Sequence, residues 1–136
     1  MSTDDTADAL VQLSFAVQRV LAAVGAEHDL SVVQMRLLGI LRDRTLGMLE
    51  LGQHLGLDKS SVTGLVSRAE RRGLVQRSPS PDDGRAVLVA LTPLGRRTTD
   101  GGAAEVVRRI DALTSGLDDA SRAQLTTIAW RLVGRR

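Results

Sequence analysis

Three features of the 136-residue sequence predict a mainly α protein with one small β-hairpin. Apolar residues recur at helical spacing along most of the chain. In the middle, Gly52, Gly56 and Val62 are spaced as in two short helices packed across a tight turn. Directly after them, two β-rich runs, 74–78 and 86–91, flank the turn sequence Ser80-Pro-Asp-Asp-Gly84. A helix-turn-helix followed by a hairpin is a winged helix-turn-helix, here with further helices on both sides.

The elements follow in order. Leu10, Leu13, Val17, Val20, Leu21 and Val24 keep helical spacing and predict a helix over 7–27. Ser31 is a suitable N-cap for a second helix. That helix is apolar almost all round, through Val32, Val33, Met35, Leu37, Leu38, Ile40 and Leu41, which places it centrally. A short connection after Arg44 leads to a helical pair over 47–72, and Gly73 stands where a left-handed C-terminal cap is expected. After the hairpin, Thr92-Pro93 is an N-cap followed by proline at the first helical position. The helix it opens is expected to reach about residue 115, with a kink or a close helix approach at Gly101-Gly102. A last helix spans 118–133, with Leu125, Ile128, Ala129, Leu132 and Val133.

Composition narrows the function. Cysteine is absent, which removes disulfides, thiolate metal sites and thiol redox chemistry. The only aromatic residues are Phe15 and Trp130, so the core is aliphatic. No uninterrupted apolar stretch approaches the roughly 18 residues of a membrane span, and the acidic start does not resemble a secretory signal. A cytoplasmic protein is expected, associated with the bacterial nucleoid if it binds DNA and with no membrane partner. Net charge is only +2, but from Lys59 to Arg97 eight basic and three acidic residues leave +5. A basic middle between near-neutral ends points to a localised polyanion-binding surface; an Arg-rich coding bias would give the same composition.

The strongest signal is Leu51 to Val66. A helix-turn-helix needs a very small residue where the helices cross, a glycine in the turn and a branched residue facing back. Gly52, Gly56 and Val62 meet these needs, and Asp58 suits the N-cap of the second helix. That helix is predicted over 58–72. It buries Val62, Leu65, Val66 and Ala69 and presents Lys59, Ser60, Thr63, Gly64, Ser67, Arg68 and Arg71. Small hydroxyl side chains flanked by cations let a helix enter the major groove. Arg77 and Arg85 place cations on the hairpin, where an arginine can enter a narrow minor groove. Asp83 stands two residues before Arg85 and can orient its guanidinium.

The segments Leu55-Gly-Leu-Asp-Lys-Ser-Ser-Val-Thr63, Arg72-Gly-Leu-Val75, Asp82-Asp-Gly-Arg85 and Leu91-Thr-Pro-Leu-Gly95 resemble the signature of the multiple-antibiotic-resistance regulator (MarR) family of bacterial transcription factors. The resemblance covers essentially the whole chain. It implies a single domain over 1–136. A winged helix-turn-helix over 30–91 would be joined to a helical dimerisation region over 7–27 and 92–136. It also implies a homodimer on a pseudo-palindromic double-stranded operator. Ser60, Ser61, Thr63, Ser67 and Arg68 would lie in or beside the major groove, and Arg85 in the minor groove. A small aromatic or phenolic effector would release the protein from DNA and so relieve repression; Phe15, Arg19, His28 and Met35 are pocket candidates by position. Three departures stand out: Gly64 where the family often has Arg, Gly52 in place of a common Ala, and the pair Gly101-Gly102.

Other function classes have less support. An enzyme would depend on His28 or His54, the only conventional bases near neutral pH, and neither lies in a nucleophile or metal-ligand motif. No catalytic residue, cofactor or metal is expected. A winged helix used only for protein contacts would not need the basic segment. DNA binding without any effector is a further alternative.

Overall fold

The computed structural model describes residues 3–82 and 84–134. Its elements are α1 (Thr3–Glu27), α2 (Val32–Ile40), β1 (Leu46–Gly47), α3 (Met48–Leu55), α4 (Lys59–Arg71), β2 (Val75–Pro79), β3 (Val87–Leu91), α5 (Pro93–Leu113) and α6 (Asp119–Leu132). The fold is a winged helix-turn-helix flanked by long helices, as the sequence predicts.

Caps fix most boundaries. Ser31 opens α2 with a reciprocal capping box: its hydroxyl accepts from the Gln34 N–H, and the Gln34 side chain accepts from the Ser31 N–H. Asp58, Thr92 and Asp118 cap α4, α5 and α6 by accepting from Ser61, Gly95 and Ser121 N–H groups. Gly73 closes α4 in the left-handed region at φ 75°. There the Leu74 and Gly73 N–H groups donate to Ala69 and Glu70 carbonyls, which delays β2 to Val75. α1 begins earlier than its apolar pattern, at Thr3, because Asp4 and Asp5 suit the positive end of a helix.

The three strands lie in the order β1-β3-β2, all antiparallel, with Leu46 opposite Val89 and Val75 opposite Leu91. β1 is missing from the sequence reading, since two residues ending in glycine carry no strand pattern. It ties the start of α3 to the hairpin.

The core belongs to the winged helix. Leu37, Leu38, Leu41, Leu51, Leu55, Val62, Leu65, Val66, Val75 and Val89 are buried together. The outer helices contribute little: α6 buries no residue, and α5 turns Gly95, Thr99 and Gly102 inward. Of the sixteen large hydrophobic residues exposed among the described residues, twelve lie on α1, the second half of α5, and α6 with its flanks. Phe15, Ile128, Trp130 and Leu132 are among them.

One expectation is corrected. α5 runs unbroken through Gly101-Gly102, without a kink, and a methyl at either position would meet nothing within 4 Å, so no close approach among the described residues of this chain requires these glycines. Separately, the helix from Asp4 to Glu27, with a mean hydropathy of 1.5, is long and apolar enough to cross a membrane by length and composition only, which does not by itself mark a membrane protein. Its apolar positions are interrupted often enough to hide this in a search for one continuous run.

Candidate nucleic-acid interface

The geometry of α3 and α4 follows from the glycines between them. A Cβ at Gly52 would stand 3.1 Å from the Leu57 carbonyl oxygen and 3.4 Å from the Val62 side chain. An alanine there would require these neighbours to give by a few tenths of an ångström. Gly56 ends α3 at φ 67°, and the Leu57 N–H then donates to the Gly52 carbonyl. Asp58 accepts from the Ser61 N–H at 2.8 Å and from the Ser60 hydroxyl at 3.0 Å. The Ser61 N–H chiefly, helped by the Ser61 and Ser60 side chains, holds the Asp58 carboxyl below the usual carboxylate range.

α4 divides into two faces. Val62, Leu65, Val66 and Ala69 are buried, while Lys59, Ser60, Ser61, Thr63, Arg68 and Arg71 are exposed and Gly64 and Ser67 are half-buried. The hydroxyls are already engaged. Ser60 donates to Asp58, and Thr63 donates to the Lys59 carbonyl at 2.8 Å. Ser67 accepts from Arg77 Nη2 at 2.7 Å, and Arg77 Nε stands 3.5 Å from Glu70. Arg77 therefore fastens β2 to α4 instead of projecting from the wing.

The hairpin pairs from Val75–Leu91 to Pro79–Val87, and the Ser80 N–H donates to the Ala86 carbonyl at its turn end. Arg85 lies in the turn, and Asp83 lies outside the described residues. Arg85 and Lys59 line the same groove of about 910 Å³, between the start of α3, the start of α4 and the wing. Two cations from separate elements thus face one cleft beside the exposed face of α4.

Behind this surface is a second cavity, of about 550 Å³, between α1, α2 and α5. Leu21, Met35, Val106 and Val107 give it apolar walls, and His28 and Arg36 add polar groups. His28 and Met35 are two of the four pocket candidates from the sequence. Phe15 and Arg19 are not among its lining residues. The α1 face that turns to the cavity carries Gln18 and Leu21, while Phe15 lies further along on the exposed face and Arg19 is rotated about 100° from Gln18.

Two guanidinium groups join cavity and head; Arg36 was not singled out in the sequence, and Arg72 only as the start of the Arg72-Gly-Leu-Val75 segment. Arg36 donates to the His54 carbonyl at 2.9 Å, at the end of α3. Arg72, capping α4, donates to the Asp29 and His28 carbonyls at 2.6 and 2.8 Å. Asp29 is the one described non-glycine residue with positive φ, at 54°. No local motif marks such contacts, because each arginine finds its acceptors far along the chain.

This arrangement defines a winged helix-turn-helix protein with a basic outer face. A sequence model of the MarR family matches residues 28–86. The HTH-type transcriptional repressor NicR of Pseudomonas putida is 35% identical over 91 residues, covering 66% of this chain and 57% of that protein. The chain spans about half the length of the curated relatives it matches. A MarR-family regulator from Rhodococcus superposes with a TM-score of 0.82 at 25% identity, over 97% of this chain and 94% of that one. NadR, solved in complex with 4-hydroxyphenylacetate, superposes with a TM-score of 0.76 at 26% identity, over 91% and 89% of the two chains. Residues 28–86 are thus similar to the MarR family, and the fold is shared with solved MarR-family regulators over nearly the whole chain. Proteins of this family are DNA-binding regulators and not enzymes.

Proposed function

We propose that the protein is a transcriptional repressor. It binds a pseudo-palindromic operator as a homodimer and leaves it when a small aromatic or phenolic effector enters the 550 Å³ cavity. The observation that carries this reading is the exposed face of α4, with Lys59, Arg68 and Arg71, next to a wing whose Arg85 faces the same groove as Lys59. α4 would occupy the major groove through Ser60, Ser61, Thr63, Ser67 and Arg68. Lys59 and Arg71 would meet phosphates, and Arg85 the minor groove. Arg77, bound to Ser67 and Glu70, would position the wing against α4.

The division into a reading head over 30–91 and a dimerisation region over 7–27 and 92–136 is supported by the distribution of burial. The head has its own core, whereas the other helices leave their large apolar side chains uncovered. A second copy, covering the exposed face of α1 and α6, accounts for that apolar surface without a membrane. The effector reading is supported by the cavity's size, by its apolar walls and by the 4-hydroxyphenylacetate bound to NadR. His28 and Met35 would contact the effector. Because Arg36 and Arg72 bind both the cavity wall and the head, a ligand that moved the wall would bias the head's position.

Selection of bound duplexes from a random DNA pool tests the reading. A two-fold symmetric site with half-sites about one helical turn apart is expected, with affinity that falls steeply as salt rises. Absence of any enriched duplex would remove DNA binding as the function.

A further inference from the structure

The exposed face of α4 carries one cation at its centre, and its setting differs from that of Arg72 and Arg77 nearby. A methyl built at Gly64 would stand 3.3 Å from Arg68 Nη1. The Arg68 side chain therefore lies back along the helix, with its guanidinium above the space that Gly64 leaves empty. Long side chains on a helix lean in this direction, toward its N-terminus. Arg72 and Arg77 are committed to carbonyls, Ser67 and Glu70. Among the described residues, Arg68 has no hydrogen-bond acceptor or ion-pair partner. Its donors are thus left for a ligand, at the middle of the face that would enter the groove.

We propose that Arg68, laid over Gly64, sets base specificity in each half-site by donating two parallel hydrogen bonds to guanine O6 and N7. This rests on the DNA-binding reading above. Guanine is selected by chemistry: a planar guanidinium fork matches two adjacent acceptors in the major groove, and only guanine presents such a pair. The surrounding hydroxyls are set up differently. Ser60 and Thr63 have spent their hydrogens on Asp58 and on the Lys59 carbonyl, so they present lone pairs, which suit amino groups of adenine or cytosine. They do not compete with Arg68 for guanine. Lys59, a point charge at the first turn, and Arg71, at the last, are placed to meet phosphates on either side. A Cβ at position 64 would stand 3.3 Å from that guanidinium, so the glycine leaves room for it to lie over the helix.

The test compares wild type, Arg68→Ala, Arg68→Lys and Lys59→Ala on the duplex selected by wild type and on all single-pair replacements of one half-site. Wild type is expected to prefer G·C at one position by about 5- to 150-fold, the range of a good bidentate contact. Arg68→Ala and Arg68→Lys are both expected to reduce that preference to within about twofold while preferences at other positions persist. The lysine variant keeps the charge but loses the fork. Lys59→Ala is expected to weaken all sequences alike and to lower the salt slope by about 1. Equal weakening of every sequence by Arg68→Ala would make Arg68 a phosphate contact and overturn the proposal. So would a guanine preference that survives in both Arg68 variants. If wild type selects no duplex, the DNA-binding reading fails first and takes this inference with it.

Discussion

Replacing Gly95 with alanine should destabilise the protein by about 3 kcal/mol, although alanine is the better helix former. Gly95 lies in the first turn of α5, against the backbone of Leu74 just after α4. A Cβ there would stand 2.8 Å from the Leu74 carbonyl carbon, with the carbonyl oxygen nearer still and the Cα at 3.2 Å. Backbone cannot swing aside as a side-chain tip can, so α5 would have to retreat. Retreat breaks the Thr92 N–H bond to the Leu74 carbonyl, 3.1 Å, and strains the Thr92 hydroxyl bond to Gly73, 2.5 Å. Leaving a buried acceptor unpaired costs about 1–3 kcal/mol. Overpacking costs a further 1–3 kcal/mol or so. The gain in helix propensity offsets only about 1 kcal/mol. For a chain of this size the loss corresponds to a fall in Tm of roughly 10 °C. Thermal unfolding followed by far-UV circular dichroism, at matched protein concentration, reads this directly. Gly101→Ala is the control, because its methyl meets nothing and should raise stability by about 1 kcal/mol. A Gly95→Ala protein within 2 °C of wild type, or a Gly101→Ala protein that falls equally far, would refute the steric reasoning.

Three further outcomes are expected. Ile128→Asp places a charge on the exposed apolar face of α6 and should halve the mass seen by light scattering at micromolar concentration; an unchanged mass would place the interface elsewhere. Arg85→Ala should weaken operator binding by roughly 1–3 kcal/mol in fluorescence anisotropy, and unchanged affinity would remove the wing from the binding scheme. Glu105 accepts from Arg108 and Arg109, which hold its carboxyl down at about 2 against an ordinary 4.5. A depressed carboxylate stabilises fully above its unfolded pKa and loses that contribution as pH falls from 4.5 towards 2. The Tm difference between wild type and Glu105→Gln should accordingly be constant above pH 4.5 and shrink below it.

Local chemistry was legible in the sequence. Ser31, Asp58 and Thr92 were recognisable as caps because a short oxygen-bearing side chain before a helical pattern has one obvious donor to meet. Gly56 and Gly73 were recognisable because both occur where a helix must stop. Gly95 could be quoted as part of a signature, but the reason for it, the Leu74 backbone, requires two distant segments to be seen together. The same holds for the cavity. His28 and Met35 reach it from the expected segment, while its far wall comes from Val106 and Val107, which read only as an ordinary apolar helix face.

Charge shows most clearly how a count of residues differs from their use in the fold. Eight cations between Lys59 and Arg97 suggested a polyanion surface, as though all eight faced outward to a ligand. The fold uses several of them internally. Arg72 binds the loop before α2, Arg77 binds Ser67 and Glu70, and Arg96 donates to the Arg42 carbonyl at 3.0 Å. These groups hold the head to its supports, and replacing them should change its geometry before its charge. Lys59, Arg68 and Arg71 remain on the exposed face of α4, where position matters more than number. A small set of outward cations, held in register by inward ones, gives a surface whose binding depends on alignment as well as attraction. Arg36 and Arg72 connect these supports to the wall of the cavity, which is the route by which the proposed effector would move the head.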